Sequence, residues 1–150
     1  LKKYKYFLIA CSFLSLPFMS FKIANGYDSP YIGTIYPDNS FKKLQEVSAE
    51  SYLNGNNLQG YKMINNPDIY VAKKILYKEK NQILKKYIGE YKALLWSYCK
   101  ENKGQNIDPN RQVYFYFSMK KDDNCIFAQM AVVDIETNTT VYVRGNKSYY

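Results

Sequence analysis

The run QVYFYFSMK (112–120), KDDN (121–124), CIFAQMAVVDI (125–135), ETNT (136–139) and TVYVR (140–144) decides how this chain is read. In its first part Val113, Phe115, Phe117 and Met119 alternate with Tyr114, Tyr116 and Ser118. An alternation of period two marks a strand. The polar stretch Lys121-Asp122-Asp123-Asn124 then suits a hairpin turn. In the second strand both faces are apolar, with Ile126, Ala128, Met130 and Val132 on one side and Phe127, Ala131 and Val133 on the other. Such a strand belongs at the centre of a sheet. A second turn at Glu136-Thr137-Asn138-Thr139 leads to a third strand, Val141 to Arg144, with Gly145 to Tyr150 as a loose tail.

Upstream the pattern changes. Residues 27–39 read as an extended arm, because Pro30 and Pro37 both disfavour helix at the residue before them. Tyr31 to Tyr36 is its candidate edge strand. Residues 40–104 read as helical. Asp38, Asn39 and Ser40 supply capping chemistry for a first helix over Phe41–Leu53. Asn66, Pro67 and Asp68 supply a second start signal. Beyond it Ile69, Ala72, Leu76, Ile83, Tyr87, Tyr91, Leu94 and Tyr98 trace an apolar stripe, broken near Lys80-Asn81 or at Gly89. The expected fold is therefore α+β, with N-terminal helices packed on one face of a three-stranded antiparallel meander over residues 111–145. This order of elements is similar to that of cystatin-like and NTF2-like architectures, although no motif assigns a family.

Residues 1–26 have the layout of a secretory signal. Lys2, Lys3 and Lys5 precede an apolar run from Tyr6 to Phe21, and Ala24-Asn25-Gly26 offers small residues for cleavage after Gly26. Two alternatives are an uncleaved membrane anchor, which Pro17 and the short run disfavour, and a lipoprotein acylated at Cys11. Each reading puts residues 27–150 outside the cytoplasm as one domain, either periplasmic or extracellular. In an oxidising compartment the remaining pair, Cys99 and Cys125, is expected to form a disulfide. The chain carries +8, of which four units belong to the lysines of residues 1–26. The mild excess left over favours anionic partners, but it is too small for a polybasic nucleic-acid arm.

Chemistry is constrained by the count of 0 His. That removes the commonest general base and metal ligand, and with them every Ser-His or Cys-His nucleophile pair. No phosphate-binding glycine motif occurs. Carboxylates are the remaining catalytic material, as Glu46 with Glu50 and Asp134 with Glu136, and neither spacing points to a cleft. Asp122-Asp123-Asn124 lacks a full loop of calcium ligands. Asn138-Thr139-Thr140 and Asn146-Lys147-Ser148 match the short glycan acceptor pattern.

No metal or cofactor is expected. Tyr114, Tyr116 and Tyr142 are the candidate binding residues, as an aromatic side of the sheet, if the register sets them together and the helices leave that side open. The expected function is that of a small exported, non-catalytic binding protein of an inhibitor, toxin-neutralising or envelope-accessory kind. Its expected partner is a protein, or else an anionic envelope polymer or lipid surface. A secreted effector or hydrolase using carboxylates, and a membrane-tethered envelope component, are the alternatives.

Overall fold

The computed structural model describes residues 33–44, 47–56, 58–100 and 106–149. The signal segment 1–26, Cys11 and Glu46 lie outside them. The described chain runs β1 (Ile35–Tyr36), α1 (Ala49–Gly55), β2 (Ile69–Leu76), a 3-10 turn (Tyr77–Glu79), α2 (Lys80–Ile88), α3 (Lys92–Cys99), β3 (Asn106–Ile107), β4 (Gln112–Asp122), β5 (Cys125–Asp134) and β6 (Thr139–Tyr149).

The sheet, not a set of N-terminal helices, dominates. Four antiparallel strands lie in the order β2-β4-β5-β6, and β1 pairs with β3 in a separate parallel ladder. This corrects the expected three-stranded meander carrying long helices. The fourth strand comes from the segment read as the opening of the long helix. Ile69, Val71 and Ile75 are spaced by twos and fours, and they pair in register with Met119, Phe117 and Val113. Pairing with β4 buries the β-branched Val71 and Ile75, which a helix would partly expose. The start signal at Asn66-Pro67-Asp68 serves a turn instead. Asn66 has φ +47°, and the Asp68 carboxylate accepts from the Lys121 N–H at 2.6 Å.

Both sheet faces are covered. On one face α2 and α3 bring Leu84, Ile88, Leu94 and Tyr98 against Val71, Phe115, Phe117, Met130 and Val132. On the other, α1 and the segment after it bring Ala49, Leu58 and Tyr61 against Tyr114, Tyr116, Ala131 and Val133. α1 starts much later than the expected Phe41, because Ser48 supplies its cap, accepting from the Ser51 N–H at 3.1 Å. The tail expected beyond Arg144 is strand as far as Tyr149. A bulge between Val132 and Val133 shifts the β5–β6 register and lets the consecutive residues Val141 and Tyr142 enter the same cluster.

The helical segment breaks at Gly89, between α2 and α3. A Cβ at Gly89 would run into the Lys85 carbonyl oxygen, closer than real contacts allow. Gly89→Ala is therefore expected to cost on the order of 1–3 kcal/mol, the range of overpacking changes, through a forced shift of the α2–α3 turn. Urea unfolding measures this, and a loss below about 0.5 kcal/mol would show that the turn yields freely.

Candidate functional site: a basic helical face around Trp96

The expected aromatic platform is closed. Tyr114 and Tyr116 do share one side of β4, but their hydroxyls donate to the carbonyls of Val47 and Ala49, both at 2.8 Å. Tyr52 stacks on Tyr114 at 4.8 Å between centroids, and Tyr61 lies 6.0 Å from Tyr116. Tyr142 lies on the opposite side. Its register partner is Val132, which pairs with Phe115 rather than with Tyr114. A one-residue offset in a strand exchanges faces. All three tyrosines are buried, so they build the two cores.

The expected Cys99–Cys125 bridge is also absent, and both residues are free thiols. Their places explain this. Cys99 ends α3 and packs against the cluster containing Phe117 and Met130. Along β5, Ile126, Ala128, Met130 and Val132 fill that same cluster, so strand alternation turns Cys125 to the other side of the sheet. Burial pushes the Cys99 thiol above its ordinary value, while the charges of Lys80 and Arg144 oppose this. A raised thiol is a poor nucleophile.

Of the carboxylates left as possible catalytic material, Asp134 and Glu136 are engaged in structure. Asp134 is fully buried and receives Nε and Nη2 of Arg111 at 2.7 and 2.9 Å. It also accepts the Thr137 N–H at 2.8 Å and the Thr137 hydroxyl at 2.6 Å. Arg111 reaches on to Glu136 at 2.9 Å and to the Pro37 carbonyl at 2.8 Å. Lys42 pairs with Glu136 too. Buried Asn39 donates to Glu136 at 3.1 Å and accepts the Gln112 N–H at 2.7 Å. Hydrogen bonds from Lys42 and Asn39 hold the Glu136 carboxyl below its ordinary range. The network clamps the arm, residues 33–44, to the end of the sheet. Sequence reading did not single out Arg111. Its signal is an Asp that ends the apolar run Met130–Val133, and such an Asp demands a cation when buried.

One surface open for contact lies over α2 and α3, while the exposed Ile35, Phe41 and Tyr149 lie elsewhere in the chain. α2 buries Lys80, Leu84 and Ile88 at every fourth position and turns Asn81, Gln82, Lys85 and Lys86 outward. The buried Lys80 amino group stands 5.2 Å from the Tyr77 ring centroid and 5.7 Å from that of Tyr142. α3 buries Leu94 and Tyr98 and turns Lys92, Ala93 and Trp96 outward. Trp96, the single tryptophan, is 68% exposed, with the Lys100 amino group 5.3 Å from its ring. Across residues 77–100 six lysines face two glutamates.

The helix beneath Trp96 is pinned. The Tyr98 hydroxyl donates to the Ala128 carbonyl at 2.6 Å, and its ring meets Phe117 edge-on at 5.6 Å. Arg144 of β6 donates to the carbonyls of Ser97 and, at 3.0 Å, of Lys100. A sole tryptophan two residues from a core tyrosine was visible in the sequence but not singled out there.

Among the described residues no group of three or more Cys, Asp or Glu is placed to hold a metal ion. No described helix is long and apolar enough to cross a membrane. No family model matches the chain, and neither a curated protein nor a solved structure matches it at a significant level.

Proposed function

We propose that this chain is a small exported binding protein that acts by contact and not by catalysis. The observation that carries this reading is Trp96, held exposed beside Lys100 on a helix that is fixed from below. Exposing an indole forgoes hydrophobic stabilisation of the fold, and a large, rigid, half-polar ring is the kind of anchor that dominates protein interfaces. Two further features support it. The described acids best placed to act as a pair, Asp134 and Glu136, are committed to Arg111 and Lys42. The thiol nearest the helical face, Cys99, is raised and lacks an imidazole to activate it. Export rests on the basic, apolar and small-residue sections of residues 1–26.

The test combines processing with capture. In cells that make the protein, the mature chain is expected to start at Tyr27 and to co-elute from gentle affinity purification with a stoichiometric protein. A mature chain that starts at Cys11 or retains Lys2 would refute cleavage after Gly26. Repeated recovery of the chain alone, together with turnover of a glycan or ester substrate, would replace binding with hydrolysis.

A further inference from the structure

Resting on that reading, we infer that the α2–α3 face receives an acidic protein surface with an apolar socket for the Trp96 indole. Charge gives the first argument. Lys78, Lys85, Lys86, Lys92 and Lys100 are exposed over residues 77–100, against the exposed Glu79 and Glu90, and the Lys100 amino group stands beside the Trp96 ring. Such a face attracts an acidic partner and repels a basic one over about 8 Å at physiological salt.

The distribution of apolar surface gives the second. A helix that lies on a lipid surface needs a broad apolar side to sink into the headgroup boundary. In α3 that side consists of Leu94, Leu95, Tyr98 and Cys99, and it is already turned into the sheet. What α3 leaves outward is one large ring beside the Lys100 ammonium, with Lys92 exposed on the same helix. This is the pattern of a single anchor with a polar rim, which fits a pocketed protein and not a bilayer.

The third argument is rigidity. Arg144 ties the last carbonyls of α3 to β6, and Tyr98 ties its middle to β5. Little ordering is left to be done at the anchor when the partner arrives, and preorganisation of this kind raises affinity. The Lys100 ammonium beside the ring is on the same exposed surface, where it can meet a carboxylate of the partner.

The experiment places benzoylphenylalanine at position 96 in the full chain, with a second version carrying it at Lys74, exposed on β2, as control. Irradiation in cells is expected to give a discrete adduct from position 96 with an acidic protein, and none from position 74. With that protein purified, Trp96→Ala is expected to weaken binding at least tenfold and Trp96→Phe less. Lys85→Glu with Lys86→Glu should also weaken it at least tenfold, and rising salt should weaken the unaltered chain more than the charge-reversed one. Circular dichroism confirms that each variant is folded, as exposed positions predict. Adducts from position 74 but not 96 would overturn this face while leaving the binding reading intact. Lipid adducts, or binding to phosphatidylglycerol vesicles that Trp96→Ala abolishes, would overturn the protein partner. No adduct at either position, with no co-eluting protein, would remove both.

Discussion

Replacement of Asp134 by Ala is expected to cost about 3–5 kcal/mol, the range for breaking a buried ion pair from one side. The side chains of Arg111 and Asp134 are 4% and 0% exposed, and their two parallel contacts are the closest ionic geometry in the clamp that carries a full pair of bonds. Removing the carboxylate leaves a guanidinium in a dry site, with Glu136 and the Pro37 carbonyl as its remaining partners. Thr137 loses its acceptor at the same moment. Domains are stable by only about 5–15 kcal/mol in all, so this one change removes a large share. The double replacement Arg111→Met with Asp134→Leu is expected to cost less than the single one, because no charge is stranded. Urea melts of the three proteins decide the matter. A single-variant loss under about 1 kcal/mol would mean that water reaches Arg111 and that the clamp is a surface bridge. Hydrogen exchange should also show the arm, residues 33–44, opening first in Asp134→Ala.

The second large effect is alkaline. Burial raises Tyr61 to about 12, and burial likewise holds Tyr98, Tyr116 and Tyr142 far above their ordinary value of 10.0. In the unfolded chain these phenols ionise near pH 10. Between the unfolded and folded values the native state therefore binds more protons than the unfolded one, and stability falls as pH rises. The contribution is fully present below pH 10, and that of Tyr61 is lost between 10 and about 12. Each tenfold mismatch in proton affinity amounts to about 1.4 kcal/mol per group. Four such groups acting together are expected to unfold the protein cooperatively in this interval. Phenolate absorbance should rise in one steep step that coincides with loss of the sheet signal in circular dichroism. A gradual rise spread over the interval, with the sheet intact, would show that these hydroxyls are solvated.

How far the sequence discloses this molecule depends on which force dominates each segment. β4 and β5 announce themselves, because alternation and a doubly apolar strand have few other readings. β2 does not. Ile69, Ala72 and Leu76 satisfy a helical stripe as well as Ile69, Val71 and Ile75 satisfy a strand, and the lysines between them fit either. Only β4, whose residues pair with it from far along the chain (Ile69 with Met119, Leu76 with Gln112), decides the matter. The break at Gly89 is legible because glycine is a poor helix former and the stripe outruns a small domain. The last part of β6, Gly145 to Tyr149, lacks alternation and becomes strand by extending the ladder with β5.

The candidate site divides in the same way. Its lysines are plain in the sequence, but the outward setting of Trp96 follows from Tyr98 finding Phe117 and Ala128 beneath the helix. The tyrosine platform was the reverse case: the residues are present, but α1 and Tyr61 seal one pair, and register sends Tyr142 to the other side.

The clamp has a consequence for the order of events during synthesis. Asn39 at the start of the described chain is bonded to Glu136, 97 positions later, and the helix carrying Trp96 is secured by Arg144. The first contact waits for the turn between β5 and β6, and the second for β6 itself. Closing such long loops is slow, and strands waiting for distant partners remain extended and exposed meanwhile. The support beneath the contact face is therefore completed only when β6 is in place. For the export proposed above, this dependence keeps the helix carrying Trp96 from being secured before β6 has crossed.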